Sequence, residues 1–348
     1  MWKLQIAALG ALLGLSGCGG LGSSNGGARR FTPSILPSPP GVSTYEARGA
    51  TGSAIVGVGL NLLDKRAIYW NGDQVTDLTP PLLFAASATA TFGTAQGGTG
   101  SDALTTHALL WTGTAASVVD LHPSSGYSDS YLTSMTSGTQ GGYARVGGLL
   151  HAVRWSGTSA SMVDLHPSTG FDGTLVTGIA PGLQVGYGFP TLMGGNAHAL
   201  YWNDSSGSMV DIHPGGTFSA SRATATDGTS VVGFFDDGSS GTRALLWPSL
   251  SLPAVDISPA GYTQSVASGV HGAYQVGSAR YSDGRKHAMV WKGTAASYVD
   301  LHDRLALLGN SLGVTFLESE ALAISENGTV VGSASDTTGK GYAIAWRN

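Results

Sequence analysis

Eight of the nine histidines fall into two repeated positions, each at a fixed distance from an aspartate. His107, His151, His198 and His287 each precede an alanine; His122, His166, His213 and His302 each lie fifteen residues further on. Two residues before the second histidine stands Asp120, Asp164, Asp211 or Asp300. On a strand, residues two apart share a face, so the aspartate and the second histidine point together. If the intervening TGTAAS-type segment turns a hairpin, the first histidine returns beside the aspartate. Two imidazoles and a carboxylate could hold zinc with a fourth position open for hydrolysis. A His–Asp dyad could equally serve acid–base catalysis.

The divergent copies weigh against both chemistries. Arg66 and Arg243 replace the first histidine while Asp77 and Asp256 remain, and the second histidine becomes Thr79 or Ser258. In the last copy the first histidine is Tyr342, and Ile35 of the N-terminal segment lies where the aspartate would be. A cationic or donor residue is present wherever the aspartate is, and both vanish together. That correlation fits a hydrogen-bonded His/Arg–Asp pair linking two strands in six of seven repeats, each bond contributing about 1.5–3 kcal/mol. A site repeated in four units, with arginine replacing a ligand in two more, behaves as scaffolding. No catalytic residue, metal or cofactor is therefore expected. His271 is the one histidine outside the pattern and the better functional candidate for it.

These pairs belong to a repeat. HALLWTGTAASVVDLHP from His107 returns as HAVRWSGTSASMVDLHP from His151, HALYWNDSSGSMVDIHP from His198 and HAMVWKGTAASYVDLHD from His287. Degenerate copies begin at Arg66, Arg243 and Tyr342. Trp70, Trp111, Trp155, Trp202, Trp247, Trp291 and Trp346 mark the copies, 41, 44, 47, 45, 44 and 55 residues apart. A unit of this length holds four short strands and is the size of a propeller blade. In the third unit the strands are expected near 131–137, 143–148, 151–156 and 161–165, from apolar and β-branched runs punctuated by Gly, Ser and Pro. Innermost strands are expected at 45–50 in the first unit and 322–325 in the last. The long final step contains HDRLALLGNSLG from His302, read as one short helix ended by Gly309. Each tryptophan is read as a wedge between neighbouring blades, with burial contributing roughly 4–6 kcal/mol as an upper figure.

The two ends of the chain are complementary. The last unit stops two residues after Trp346 and lacks a fourth strand, while FTPSILPSPPGV from Phe31 aligns with SVVDLHPSSGY from Ser117. Leu36 then falls on Leu121 and Gly41 on Gly126. Pairing the N-terminal strand with the last unit would close a ring and remove the open edge. The expectation is all-β: one seven-bladed propeller over 31–348 with four-stranded blades.

Composition agrees with this class: 53 glycines, 11% charged residues and a net charge of −5 without a basic stripe, which excludes nucleic acid as a partner. Residues 1–18 carry Lys3, an apolar run from Leu4 to Leu15 and then Ser16-Gly17-Cys18. The apolar run is too short to span a bilayer and fits a secretory signal. The ending resembles a bacterial lipobox, which implies cleavage before Cys18 and acylation of that residue. Cys18 is the single cysteine, so the mature chain forms no internal disulfide. Residues 19–30, GGLGSSNGGARR, read as a tether with a reach of roughly 20 Å. Gly19 and Gly20 occupy the positions where, by resemblance to enterobacterial lipoproteins, an acidic retention signal would stand, and this favours the outer membrane.

Ala323-Ile324-Ser325-Glu326-Asn327-Gly328-Thr329-Val330-Val331-Gly332, followed elsewhere by His107-Ala108-Leu109-Leu110-Trp111 and its copies, resembles the HAF family of extracellular bacterial repeats. The resemblance covers about 42–348 and departs from the family in placing His-Pro after Asp-Leu. It implies secretion and a propeller-like fold, and brings no activity or site residue. The combined reading is a lipid-anchored envelope protein, monomeric, binding a glycan or protein through propeller loops without catalysis. The rival is a polysaccharide hydrolase or lyase with its site at the propeller channel.

Overall fold

In the computed structural model of the protein, residues 30–348 are described, apart from 62–63, 192–195, 217, 237 and 239–240. The signal, Cys18 and nearly all of the tether lie outside the described residues. Nearly every regular element is a β-strand, and within a repeat the chain runs inner, second, third, then outer strand, all antiparallel. In the third repeat these are Asp129–Thr136, Thr139–Val146, Leu149–Trp155 and Val163–Asp164. The first three thus run longer than the sequence pattern suggests, because hairpin hydrogen bonds extend past the apolar residues. The outer strand is shorter, because Ser159–Ser161 is a turn of 3-10 helix. The strands form five four-stranded sheets and one eight-stranded sheet. The eight-stranded sheet holds the first two repeats, joined by one parallel pair, Lys65 and Ala85.

The inner strands are Thr44–Thr51, Ala85–Phe92, Asp129–Thr136, Gly173–Ala180, Ala220–Thr226, Gln264–His271 and Phe316–Ile324. The first and last are longer than the sequence reading, the last beginning at Phe316 rather than Leu322. Neighbouring inner strands touch in chain order, and the last touches the first, so the sheets close around a central channel. Every inner strand carries a β-bulge at an equivalent position, where Arg48, Thr89, Thr133, Thr177, Thr224, Ser268 and Leu322 are the extra residues, and the last inner strand has a second one at Leu317. A bulge bends the strand and sharpens its twist. The equivalent bulge residues line a channel space of about 230 Å³. Four of the threonines donate to the next repeat, Thr89 to Leu132 O, Thr133 to Val176 O, Thr177 to Ala223 O and Thr224 to Ala267 O, at 2.6–2.9 Å.

Opposite each equivalent bulge the second strand has a glycine that turn chemistry does not explain. A Cβ on Gly142 would lie 1.9 Å from the Tyr131 carbonyl oxygen; Gly57, Gly98, Gly186, Gly233, Gly277 and Gly332 meet the same obstacle at 1.9–2.0 Å. The bulged backbone approaches so closely that only glycine fits.

The core lies between sheets. All seven repeat tryptophans are 0–3% exposed, and Trp346 packs among Val276, Ala288 and Val290 of the preceding repeat. The indole N–H of Trp70 donates to Pro37 O at 2.9 Å, whereas those of Trp111, Trp155, Trp202 and Trp291 are buried without a partner among the described residues. Packing, rather than hydrogen bonding, is what the position selects.

The N-terminal strand Thr32–Ile35 pairs with Gly341–Arg347 as the outer strand of the last sheet. Leu36 N–H donates to Ala343 O as Leu121 N–H donates to Ala108 O, both at 2.9 Å. The insertion forms helix α1, Leu305–Leu312, and ends at Gly313, not Gly309. Gly313 takes the left-handed conformation (φ 67°) of a helix stop, while Gly309 is a packing glycine whose Cβ would meet Val314 O at 2.4 Å.

Candidate functional site

The third strand of a repeat and its outer strand bring each first histidine to its aspartate. His107 Nδ1 lies 2.7 Å from Asp120 Oδ2, and His151–Asp164, His198–Asp211 and His287–Asp300 repeat the same distance. Arg66 reaches Asp77 at 3.2 Å and Asp64 at 3.0 Å; Arg243 grips Asp256 through Nε at 2.8 Å and Nη2 at 2.6 Å. The other oxygen of each histidine-paired aspartate accepts the backbone N–H of the second histidine at 2.8 Å.

The second histidine makes a contact that the sequence reading did not contain. Its ring stacks on the first at 4.0–4.2 Å, with planes 9–24° apart. Its Nδ1 lies 2.8–3.0 Å from a hydroxyl at the start of the next inner strand: Ser130, Thr174, Ser221 or Ser319. That hydroxyl also accepts the N–H of Ala108, Ala152, Ala199 or Ala288 on the preceding third strand. Each constellation is therefore a joint tying one repeat to the next. A hydroxyl eight residues after the second histidine, at Ser130, Thr174 and Ser221, was the available signal.

Stacking also decides against a shared metal ion. Ring lone pairs lie in the ring plane, so near-parallel imidazoles do not converge on one point, and both Nδ1 atoms already face polar partners. Among the described residues His287, Asp300 and Asp303 bring ligand atoms within 4.8 Å of one another. Yet Asp300 is saturated: Oδ2 accepts from His287 and from the Tyr262 hydroxyl at 3.0 Å, Oδ1 from the backbone N–H of His302 and of Asp303. Burial, then the positive charge of the stacked partner, pushes His122, His166 and His213 below the usual imidazole range and His302 down to about 4. Burial and the Tyr281 and Asp300 neighbours keep the Tyr262 hydroxyl protonated.

All of these joints open on one face of the ring. Loops from second to third strands and connections from outer to next inner strands emerge there; the opposite face carries the hairpins. His271 ends an inner strand on the hairpin face, exposed and at the opposite end of the strand from the joints. On the loop face, the residue two before each bulge sits at the channel mouth. These are Glu46, Ser87, Tyr131, Leu175, Arg222, Val266 and Glu320, paired in register with Val58, Thr99, Tyr143, Tyr187, Phe234, Ser278 and Ser333. Unlike the joints, no two repeats carry the same cross-strand pair here. Glu46 is paired with Arg48, and Glu320 with Lys286 at 2.8 Å. Tyr131 stacks on Tyr143 at 4.6 Å. Exposed apolar side chains, Leu82, Phe84 and Leu104, stand on the same face further out.

No family model matches the sequence, and no curated protein matches it. Solved structures do match. The β-propeller domain of the Trilobed protease from Pyrococcus furiosus, which has an open velcro topology, is similar at 9% identity over 88% of this chain and 94% of that one, with a TM-score of 0.55. An oligogalacturonate lyase in complex with manganese is similar at 11% identity over 92% and 94%, with a TM-score of 0.57. The oligogalacturonate lyase from Vibrio parahaemolyticus gives 11%, 90%, 96% and 0.56. The chain spans 63% of TolB from Acinetobacter baumannii and 55% of a puromycin hydrolase. At such identities the likeness defines the fold. The protein is a β-propeller, and its strand order and closed ring agree. Among the described residues, no helix is long and apolar enough to cross a membrane.

Proposed function

We propose that the protein is a cell-envelope lipoprotein whose seven-bladed β-propeller acts as a monomeric binding module for a glycan at the channel mouth of the loop face. The blade count rests on treating the eight-stranded sheet as two blades, because one residue pair alone joins its halves. The lipid anchor rests on the sequence ending at Cys18, with the outer membrane as its address.

One observation carries the binding reading. Scaffold positions repeat around the ring: the bulge-facing glycine, the wedge tryptophan, the His/Arg–Asp joint. The channel-mouth pairs are different in each blade and include half-buried aromatic rings. Function in propellers is grafted onto such variable positions. The bulge threonines of the channel donate their hydroxyls to neighbouring carbonyls, which favours a wall over a reaction centre.

A glycan and polysaccharide array with the full chain tests this, binding and product release being read together. Saturable binding that Tyr131→Ala weakens at least about tenfold is expected, since loss of one aromatic platform removes roughly 1.5 kcal/mol or more. Release of shortened or unsaturated sugar would replace this reading by a polysaccharide hydrolase or lyase. Silence on every glycan would turn the reading to a protein partner.

A further inference from the structure

Arg222 stands apart from the other cations around the channel mouth. Its guanidinium carbon lies 5.3 Å from the Tyr187 ring centroid and 5.4 Å from that of Phe234. Arg48 faces Glu46, Lys286 faces Glu320, and Arg280 faces Glu318 at 3.8 Å. Its guanidinium has no carboxylate partner and no hydrogen bond among the described residues. Two aromatic rings hold the side chain through cation–π contact, and its five N–H donors are left for another partner. Lys65, beside Arg48 and Glu46, has no hydrogen bond to a carboxylate among the described residues. The mouth thus carries surplus positive charge in a chain of net charge −5.

The rings beside Arg222 belong to a series. Tyr143, Tyr187 and Phe234 hold the same position in three consecutive second strands, with Tyr131 stacked on the first. Burial and the adjacent Tyr131 hydroxyl hold the Tyr143 phenol up at about 12, so it stays neutral beside an anion. A run of aromatic faces ending on a pre-oriented guanidinium matches a sugar chain bearing oxyanions. Pyranose C–H faces lie on the rings, and a planar oxyanion accepts two parallel hydrogen bonds from Arg222.

We infer that the channel mouth recognises an acidic glycan, with Arg222 binding a uronate carboxylate or a sulfate ester and the Tyr131–Tyr143 stack supporting the neighbouring sugar. This rests on the binding reading above and adds the charge of the ligand and the residue that reads it.

The test is calorimetric titration of the full chain with three oligosaccharides of equal length: oligogalacturonate, a sulfated galactan fragment and neutral galactan. Each is run at low and high salt against wild type, Arg222→Gln, Arg222→Lys and Tyr131→Ala. Melting curves check that the variants fold. An acidic oligomer is expected to bind at least about tenfold tighter than the neutral one, with the preference shrinking in salt and lost in Arg222→Gln. Arg222→Lys should retain part of it, since a point charge cannot reproduce the bidentate contact. Whichever acidic oligomer binds identifies the source of the oxyanion. Equal affinity for acidic and neutral oligomers overturns the inference, as does an Arg222→Gln that folds and keeps the preference. If Tyr131→Ala then still weakens neutral binding, the glycan module survives without it. Binding of none of the three overturns the inference. Product release with an intact dependence on Arg222 leaves it standing and removes the binding-only reading.

Discussion

His302 lies face to face with His287 at 4.1 Å, and its Nδ1 faces the Ser319 hydroxyl at 2.9 Å. Burial, followed by the charge of His287, holds it near 4 against an ordinary 6.5. The folded state therefore binds fewer protons than the unfolded chain between those values, and stability must rise with pH across the window. The contribution is complete above about 6.5 and is lost as pH falls toward 4. Allowing for the partial exposure of the ring, it amounts to about 1–2 kcal/mol at His302. His122, His166 and His213 are shifted the same way, so the protein should show a flat melting temperature above pH 7 and a fall of several degrees by pH 5. His302→Gln should lower the plateau slightly and flatten the slope. A melting temperature that is the same at pH 7 and pH 5 would dispose of the idea that these joints hold neutral second histidines. The first histidines of the same joints differ in setting: the Asp120 side chain is 53% exposed and that of Asp300 only 8%. One motif thus serves at very different depths, which suits a fastener better than a repeated active site.

At the scale of the strand, the glycine opposite each bulge makes the sharper demand. Gly142→Ala drives a Cβ into the Tyr131 carbonyl oxygen and should cost about 3 kcal/mol or more, because two backbone segments must part. Gly157→Ala, in a hairpin at φ 83° with nothing within 4 Å, should cost about 1 kcal/mol from conformational strain alone. Chemical denaturation of the pair would separate the two; equal losses would mean the bulge can relax. This contrast marks what was legible in the sequence. The strand count per repeat, the antiparallel return of each histidine to its aspartate and the closing role of Thr32–Ile35 all follow from local spacing and could be read directly. The mid-strand glycines are visible in the repeat, but their reason is a bulge across the sheet, and no residue type announces a bulge. The stacked histidines were missed because the hydroxyl that orients the second ring belongs to the next repeat. Gly309 misled because a packing glycine and a helix-stopping glycine look alike until the backbone shows which is left-handed. The channel mouth was hidden for a related reason: Tyr143, Tyr187 and Phe234 lie in three different repeats, and their shared position shows in the strand register alone.

Closure is also where the whole molecule is most exposed to failure. The threonine that stitches neighbouring inner strands elsewhere is replaced at three positions around the seam, where Ser268, Leu322 and Arg48 stand at the bulge. The N-terminal segment carries the burden instead. Phe31 and Leu36 are 2% and 3% exposed, Tyr45 donates to Leu36 O at 3.2 Å and Trp70 to Pro37 O at 2.9 Å. Burying Phe31, Ile35 and Leu36 contributes roughly 5 kcal/mol, before counting the strand hydrogen bonds. Without Thr32–Ile35, the strand Gly341–Arg347 would present an unpaired edge, which invites association with other copies. A chain beginning at residue 37 should therefore melt at least about 5 °C below one beginning at residue 30 and should oligomerise on a sizing column. A synthetic peptide of residues 30–42 added in trans should recover part of the loss, since it supplies the missing strand without the covalent tie. If the shortened chain instead stays monomeric and melts with the longer one, the ring is held by its inner strands alone. The closing strand would then be an ornament rather than a lock. The burial of Phe31 and Leu36 argues against that outcome.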